Sequence, residues 1–250
     1  LPLQDGFDNA GLQIGLTEAE ATGALLCLDV TEAVLDEAIA LGYNLVISHH
    51  PLIFKGYKSI TGKDYVERCI LKAIKNDIVI YSAHTNLDNA YGGVNYKIAE
   101  KIGLKNLQVL EPKENSLQDD LTQAGAGIVG ELDEPETELE FLKRIKKTFE
   151  VGCVRHNRLT GREIQKVALC GGAGAFLLPR AIRAGADVFI TGEIKYHDYF
   201  GHEGDILMAE IGHYESEQYT KEIFYSIIRD LFPNFALQSS KINTNPIKYL

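Results

Sequence analysis

The sequence predicts an α/β fold with mainly parallel sheets, organised as two similar halves, and three observations carry that expectation. Short apolar runs of strand length alternate with amphipathic stretches of helix length along the 250 residues, the order from which βαβ units and parallel sheets are built. A polar, proline-containing stretch, Glu111–Asp120, interrupts that order once. Apolar positions before the interruption recur after it at a fixed offset.

Ala24–Val30 (ALLCLDV) reads as a buried strand. Thr31 is an N-cap for a helix with Val34, Leu35, Ala38 and Ile39 on one face, and Gly42 suits its C-terminal stop. Asn44–Ser48 is the next strand, a helix covers 65–75, Asp77–Ala83 is a strand and Val94–Ile102 a helix. Beyond the polar stretch, Gly127–Leu132 reads as a strand, and Thr137-x-x-Glu140 is a capping box opening a helix over Leu139–Phe149. Lys166–Cys170 is a strand, Phe176–Ala184 a helix, and Asp187–Thr191 and Asp205–Ile211 are strands. Tyr214–Leu231 is expected as one long helix, with Tyr219, Ile223, Ile227 and Leu231 at helical spacing. The domain expectation is a first half over 1–110, a linker over 111–122 and a second half over 123–250.

An offset of 143 residues lays Leu26-Cys27 on Leu169-Cys170, Val34-Leu35 on Leu177-Leu178 and Ala38-Ile39 on Ala181-Ile182. The same offset lays Gly42–Ser48 on Gly185–Thr191, and an offset of 128 lays Asp77–Ile80 on Asp205–Met208. Any two βαβ units resemble each other, because the same physics writes both; the ungapped length of the match favours a duplication.

Composition sets the outer limits. Hydrophobic residues at 45% and charged residues at 24% exclude a disordered or fibrous chain. Lys plus Arg total 25 against 35 Asp plus Glu, and a net charge of −10 argues against nucleic-acid binding by bulk charge. The longest stretch without charged residues, Ala38–Phe54, is too short and too polar for a membrane span. Cys27, Cys69, Cys153 and Cys170 form no C-x-x-C pair and read as reduced, buried thiols of a cytoplasmic protein. The first residue is Leu1 and not methionine, from which a shortened N-terminus is expected, and no signal peptide is recognisable.

Polar residues collect just past the ends of four expected strands, where open parallel sheets bind ligands. These are His49-His50-Pro51, His84-Thr85-Asn86-Leu87-Asp88, Gly192-Glu193-Ile194-Lys195-Tyr196-His197-Asp198 and Gly212-His213-Tyr214-Glu215-Ser216-Glu217. Adjacent histidines point to opposite faces of a strand, but at a strand end both can reach one cavity and bind different metals. The bland alternative is one turn histidine and one core histidine. His213 and Glu217 are one helical turn apart and suit ligation from one element; alternatively the glutamate only favours a helix N-terminus. Asp88 is a turn residue or an oxygen ligand. Gly171-Gly172-Ala173-Gly174 is a tight strand-to-helix turn or an anion-presenting loop, and it matches neither a dinucleotide fingerprint nor a P-loop.

These residues, with Phe7-Asp8-Asn9-Ala10-Gly11-Leu12-Gln13-Ile14-Gly15, resemble the Nif-three-like family of dinuclear metal proteins, the GTP cyclohydrolase I type 2 homologues. The matching stretches run nearly the whole chain in the family's order. The resemblance implies two similar three-layer α/β halves and two divalent transition-metal ions. His50 and Asp88 would hold one ion, His49 and His213 the other, and Glu217 would bridge them. It also implies a homohexameric ring. Family members carry a helix before the Asp8-Asn9-Ala10-Gly11 segment, for which this sequence starts too late, and many bacterial ones an inserted middle domain, where 111–122 leaves only a short linker: either this is the compact form or a segment is missing there.

Imidazole and carboxylate donors suit Zn, Fe, Mn, Co or Ni better than Ca or Mg. The expected function is a metal-dependent hydrolase with a nucleotide-like substrate. His84, Glu193, Lys195 and His197 are its candidates for proton transfer or for holding the ligands, the alternative for each being plain structural hydrogen bonding. The rival reading is a non-catalytic metal-binding scaffold, metallochaperone or protein-interaction ring. No membrane or nucleic-acid partner is expected.

Overall fold

A computed structural model describes residues 3–113 and 124–250. The strands in chain order are β1 (Gly11–Ile14), β2 (Ala24–Cys27), β3 (Leu45–Ser48), β4 (Val79–Ser82), β5 (Lys105–Pro112), β6 (Gly125–Thr137), β7 (Arg155–His156), β8 (Glu163–Cys170), β9 (Val188–Thr191), β10 (Leu207–Glu210) and β11 (Leu237–Ser239). The helices are α1 (Glu32–Leu41), α2 (Tyr65–Lys75), α3 (Thr85–Asp88), α4 (Val94–Ile102), α5 (Glu138–Thr148), α6 (Leu178–Arg183), α7 (His213–Glu217) and α8 (Thr220–Leu231).

Two compact units result: Leu1–Leu87 with Thr220–Pro246, and Asp88–Tyr219 with Ile247–Leu250. This division differs from the sequence expectation, because β11 pairs in parallel with β2 and carries α8 back to the first unit. The linker expected at 111–122 lies, over 114–122, outside the described residues, and 111–112 close β5.

The first unit holds the sheet β1-β4-β3-β2-β11, parallel throughout except at β1. Its helices start and stop where their caps say. The Thr31 hydroxyl accepts from Val34 N and Gly42 adopts φ 69° at the end of α1, while the Asp64 carboxylate accepts from Glu67 N at the start of α2. Leu25, Cys27, Val46 and Ile80 on one sheet face pack with Val34, Leu35 and Ala38 of α1 and Val66, Cys69 and Ile70 of α2. Ala24 and Leu26 alternate to the opposite face and are also fully buried, and α8 packs on β2 and β11.

The second unit holds the sheet β5-β6-β8-β9-β10-β7. Only β8, β9 and β10 run parallel; β5, β6 and β7 join antiparallel, so this sheet is mixed. Ala168, Cys170, Phe189 and Met208 pack with Leu177, Leu178 and Ala181 of the α6 segment.

The repeat holds at the level of pairing register. Ala24 pairs with Leu45, and Val167 with Val188, which is the offset of 143 on both strands. Leu45 pairs with Val79, and Val188 with Leu207, which adds the offset of 128 on the third strand. An antiparallel strand then flanks each third strand, β1 on β4 and β7 on β10.

Two expectations are corrected. The helix expected over Tyr214–Leu231 is two helices, α7 and α8, separated at Gln218-Tyr219. Both side chains at the break bond elsewhere, Gln218 Nε2 to Phe149 O (3.3 Å) and Tyr219 OH to Thr148 O (3.0 Å). Of the expected stripe Ile223 is buried, but Ile227 is 47% and Leu231 68% exposed. The thiols of Cys27, Cys69 and Cys170 are buried, whereas that of Cys153 is exposed. Burial raises the Cys27 thiol and pushes that of Cys69 up to about 11, so both are inert as nucleophiles.

Candidate metal centre

In the first unit the donors grow from the ends of two adjacent strands, β3 and β4. Ser48 and Ser82 close β3 and β4, their hydroxyls lie 2.8 Å apart, and Ser48 Oγ donates to His50 O at 2.8 Å. His49 N donates to Cys27 O and His50 N to Leu28 O, so the backbone of the His49-His50 pair is held against the end of β2. Both imidazoles leave from a pinned turn.

Each ring is fixed through Nδ1. His49, fully buried, donates from Nδ1 to Ala83 O at 2.9 Å. His50 Nδ1 lies 2.7 Å from Asp29 Oδ1, and Asp29 Oδ2 accepts from the Thr244 hydroxyl at 2.5 Å. His84 Nδ1 lies 2.8 Å from Asp8 Oδ1, while Asp8 Oδ2 accepts from Thr85 Oγ1 (2.6 Å) and Thr85 N (3.1 Å). Burial alone would raise the Asp8 carboxyl; the Thr85 hydroxyl, His84 and the Thr85 N–H outweigh it and hold the group below the usual carboxylate range. The ring centroids stand 4.9, 5.2 and 5.4 Å apart. One nitrogen from each of His49, His50 and His84 falls within 4.8 Å of the others, a group able to hold a metal ion. With the Nδ1 proton committed to an oxygen, a neutral imidazole carries its lone pair on Nε2, the tautomer a ligand histidine needs.

The second unit builds its donors on the β9 and β10 ends and on α7. Gly212, at φ 91°, turns the chain off β10 so that His213 opens α7. His213 Nδ1 lies 2.7 Å from Glu193 Oε1, and Nε2 lies 3.0 Å from Glu217 Oε2. An imidazole nitrogen this close to a carboxylate oxygen is stable only with a proton or another cation shared between them, so the pair fits a cation site. Ser216 Oγ donates to His213 O and accepts from Gly172 N, which ties the first turn of α7 to the glycine loop. Gly172 has φ 57°, and a Cβ there would run into Glu217 Oε1. The 171–174 loop therefore makes room for a carboxylate. Asp88 ends α3; its carbonyl accepts from Asn95 Nδ2 (3.0 Å), and Asn95 Oδ1 accepts from Gly171 N (2.9 Å).

Among the expected catalytic candidates, His84 stands with the imidazoles of the first unit and Glu193 holds His213. Lys195 and His197 are exposed, and the His197 ring lies 5.2 Å from Tyr196 and 6.1 Å from Phe200. The sequence reading missed Asp8, Asp29, Thr244 and Asn95 as partners of the donors. Asp8 lay inside a recognised motif; Asp29 and Asn95 carried no local signal. Glu193 sits at the repeat position of His50.

The family model Duf34/NIF3 (NGG1p interacting factor 3) matches residues 1–246. The chain belongs to this family. It is 38% identical over 218 residues to the GTP cyclohydrolase 1 type 2 homolog of Clostridium perfringens, covering 86% of this chain and 80% of that protein. It is 34% identical over 249 residues to the protein of the same name from Lactococcus lactis, covering 96% and 90%. A Staphylococcus aureus relative aligns over 349 positions, more than the 250 residues present here, so it carries residues without a counterpart in this chain. The crystal structure of a hypothetical protein from Staphylococcus aureus superposes with a TM-score of 0.90 at 32% identity, covering 98% of this chain and 93% of that one. A Bacillus cereus protein related to NIF3 gives 0.89 at 26% identity, covering 99% and 94%. Among the described residues no helix is long and apolar enough to cross a membrane.

Proposed function

We propose that this Duf34/NIF3 protein binds two divalent transition-metal ions and works as a metal-dependent hydrolase on a nucleotide-like substrate. The observation that carries the reading is the common anchoring of four imidazoles. His49, His50, His84 and His213 each have Nδ1 against a carbonyl or carboxylate oxygen, the arrangement that orients ligand histidines. His50 and Asp88 serve one ion, His49 and His213 the other, and Glu217 is shared. Imidazole with carboxylate selects Zn, Fe, Mn, Co or Ni. Bound there, the ions supply polarisation of a substrate oxygen and a more acidic water. His84 is a candidate for proton transfer, Glu193 is a positioning residue for His213, and the exposed Lys195 and His197 are further candidates for proton transfer. The names of the curated relatives support the nucleotide class. The same reading assigns a cytoplasmic homohexameric ring, which a light-scattering mass six times that of the chain checks.

Metal analysis of purified protein tests the site. His50→Ala and Glu217→Ala are expected to lower the bound metal from two ions per chain with the far-UV spectrum unchanged; two ions retained in both variants refutes the ligand set. A screen of nucleoside phosphates and phosphoesters with metal-loaded protein tests the activity. Turnover that disappears with chelator supports the hydrolase, and a screen negative throughout leaves the metal-binding scaffold as the better reading.

A further inference from the structure

The segment that follows the His49-His50-Pro51 motif has a character opposite to that of the chain. From Ala38 to Lys63 there is no Asp or Glu, and Phe54–Lys63 carries Lys55, Lys58 and Lys63 within a protein of net charge −10. Phe54, 48% exposed, and Tyr57 show their rings to solvent on this segment. We propose that 54–63 is an anion-binding, ring-stacking element that grips the phosphate and the planar ring of a nucleoside phosphate beside the first unit's imidazoles.

Three observations within the first unit support it. The segment lies against the donors: the Phe54 ring meets the His84 ring edge-on, with centroids 5.5 Å apart at 88°. It is held at both ends although it contains no helix or strand. Ile53 O accepts from Asn9 Nδ2 (2.5 Å) and Ile53 N donates to Gln13 Oε1 (3.2 Å). At the other end the Glu67 carboxylate accepts from Thr61 N, Thr61 Oγ1 and Lys63 N. A segment fixed in this way loses little entropy on binding. Its charge is also available. Lys63 is offset by Glu67 at 3.4 Å, but among the described residues no carboxylate pairs with Lys55 or Lys58.

Ammonium groups are point-charge phosphate binders, and exposed aromatic faces stack on any planar ring. Two available lysines in so acidic a chain suit a small anion better than a polyanion, whose binding needs many phosphate contacts. The choice of a nucleoside phosphate rests on the hydrolase reading above; the anion site itself does not.

Fluorescence anisotropy of N-methylanthraniloyl-GTP is measured on the full chain, chelator-stripped and metal-loaded, alongside metal analysis. Stripped wild type is expected to bind, to weaken with salt and to release the probe to inorganic pyrophosphate. Lys55→Gln with Lys58→Gln is expected to bind roughly tenfold more weakly or worse. Lys143→Gln with Lys147→Gln, the same charge change on exposed positions of α5, is expected to bind as wild type. Phe54→Leu is expected to weaken the nucleotide but not pyrophosphate. Metal content is expected to stay the same in all variants. The proposal is overturned if stripped wild type does not bind, if the Lys55/Lys58 pair binds as wild type, or if the α5 pair weakens equally. Two ions bound with no effect of the loop lysines sinks this proposal alone; no metal bound but loop-dependent binding sinks the hydrolase reading alone.

Discussion

Asp29 does for His50 what no neighbour in sequence suggests, and its worth can be measured. Its Oδ1 fixes His50 Nδ1 at 2.7 Å while Thr244 holds Oδ2. Removing such a partner costs about 10–100-fold in metal affinity. Asp29→Ala is therefore expected to lose metal to a chelator at correspondingly lower concentration, with one ion affected more than the other. Glu193→Ala is expected to do the same through His213, whose Nδ1 it holds at 2.7 Å. Equal affinities in wild type and variants would reduce both carboxylates to structural hydrogen bonding. Gly172→Ala acts differently, since a Cβ at φ 57° meets the Glu217 carboxylate. It is expected to cost ~1–3 kcal/mol in urea unfolding and to lower metal content. The clustering of histidines was legible in the sequence, because histidines past strand ends form a pattern along the chain. Their partners were not, because Asp29 and Asn95 are indistinguishable from ordinary turn and helix residues until the fold brings them to their targets.

At the level of elements, caps and periodicity located α1, α2, α4 and α5 closely, and short apolar runs located β3, β4, β9 and β10. The short strands β1, β7 and β11 escaped, since two to four residues carry too little pattern and their pairing is decided by the sheet edge they join. The break between α7 and α8 escaped for a similar reason: Gln218 and Tyr219 are acceptable helix residues, and the bonds that claim them come from the end of α5. Glu67 offers an element-scale test. The Thr61 N–H first, then the Lys63 N–H and the Thr61 hydroxyl, outweigh desolvation and hold its carboxyl down at about 2, against an ordinary 4.5. A depressed folded-state pKa contributes stability above the unfolded value and loses it as pH falls from about 4.5 toward about 2. Glu67→Gln is expected to flatten the stability profile in that window, read as urea midpoints from pH 5 to pH 2.5. An unchanged slope would mean that the carboxylate does not clamp the 61–63 turn.

At the scale of the whole chain, the fold returns late sequence to an early sheet. β11 lies along β2, Ser240 N donates to Leu26 O at 2.7 Å, and α8 packs on both strands. Ile223 and Phe224 are the apolar side chains α8 buries. Burying side chains of this size contributes ~1.5–3 kcal/mol each, and truncating them costs ~2–5 kcal/mol. The first unit holds a core around Leu25, Val46 and Ile80, and the second a core around Ala168, Phe189 and Met208. α8 packs on β2 and β11, so Ile223→Ala with Phe224→Ala is expected to weaken the sheet of the first unit. Under mild denaturant, hydrogen exchange is expected to accelerate at the amides of β2 and β3 and to stay unchanged at those of β8 and β9. Equal acceleration in both sheets would show that the chain unfolds as one cooperative body. Because Thr244 and Asp29 belong to the weakened unit, the same variant should also release metal at His50 before its second unit loosens. Metal retained until β8 and β9 lose protection would count against His50 as a ligand.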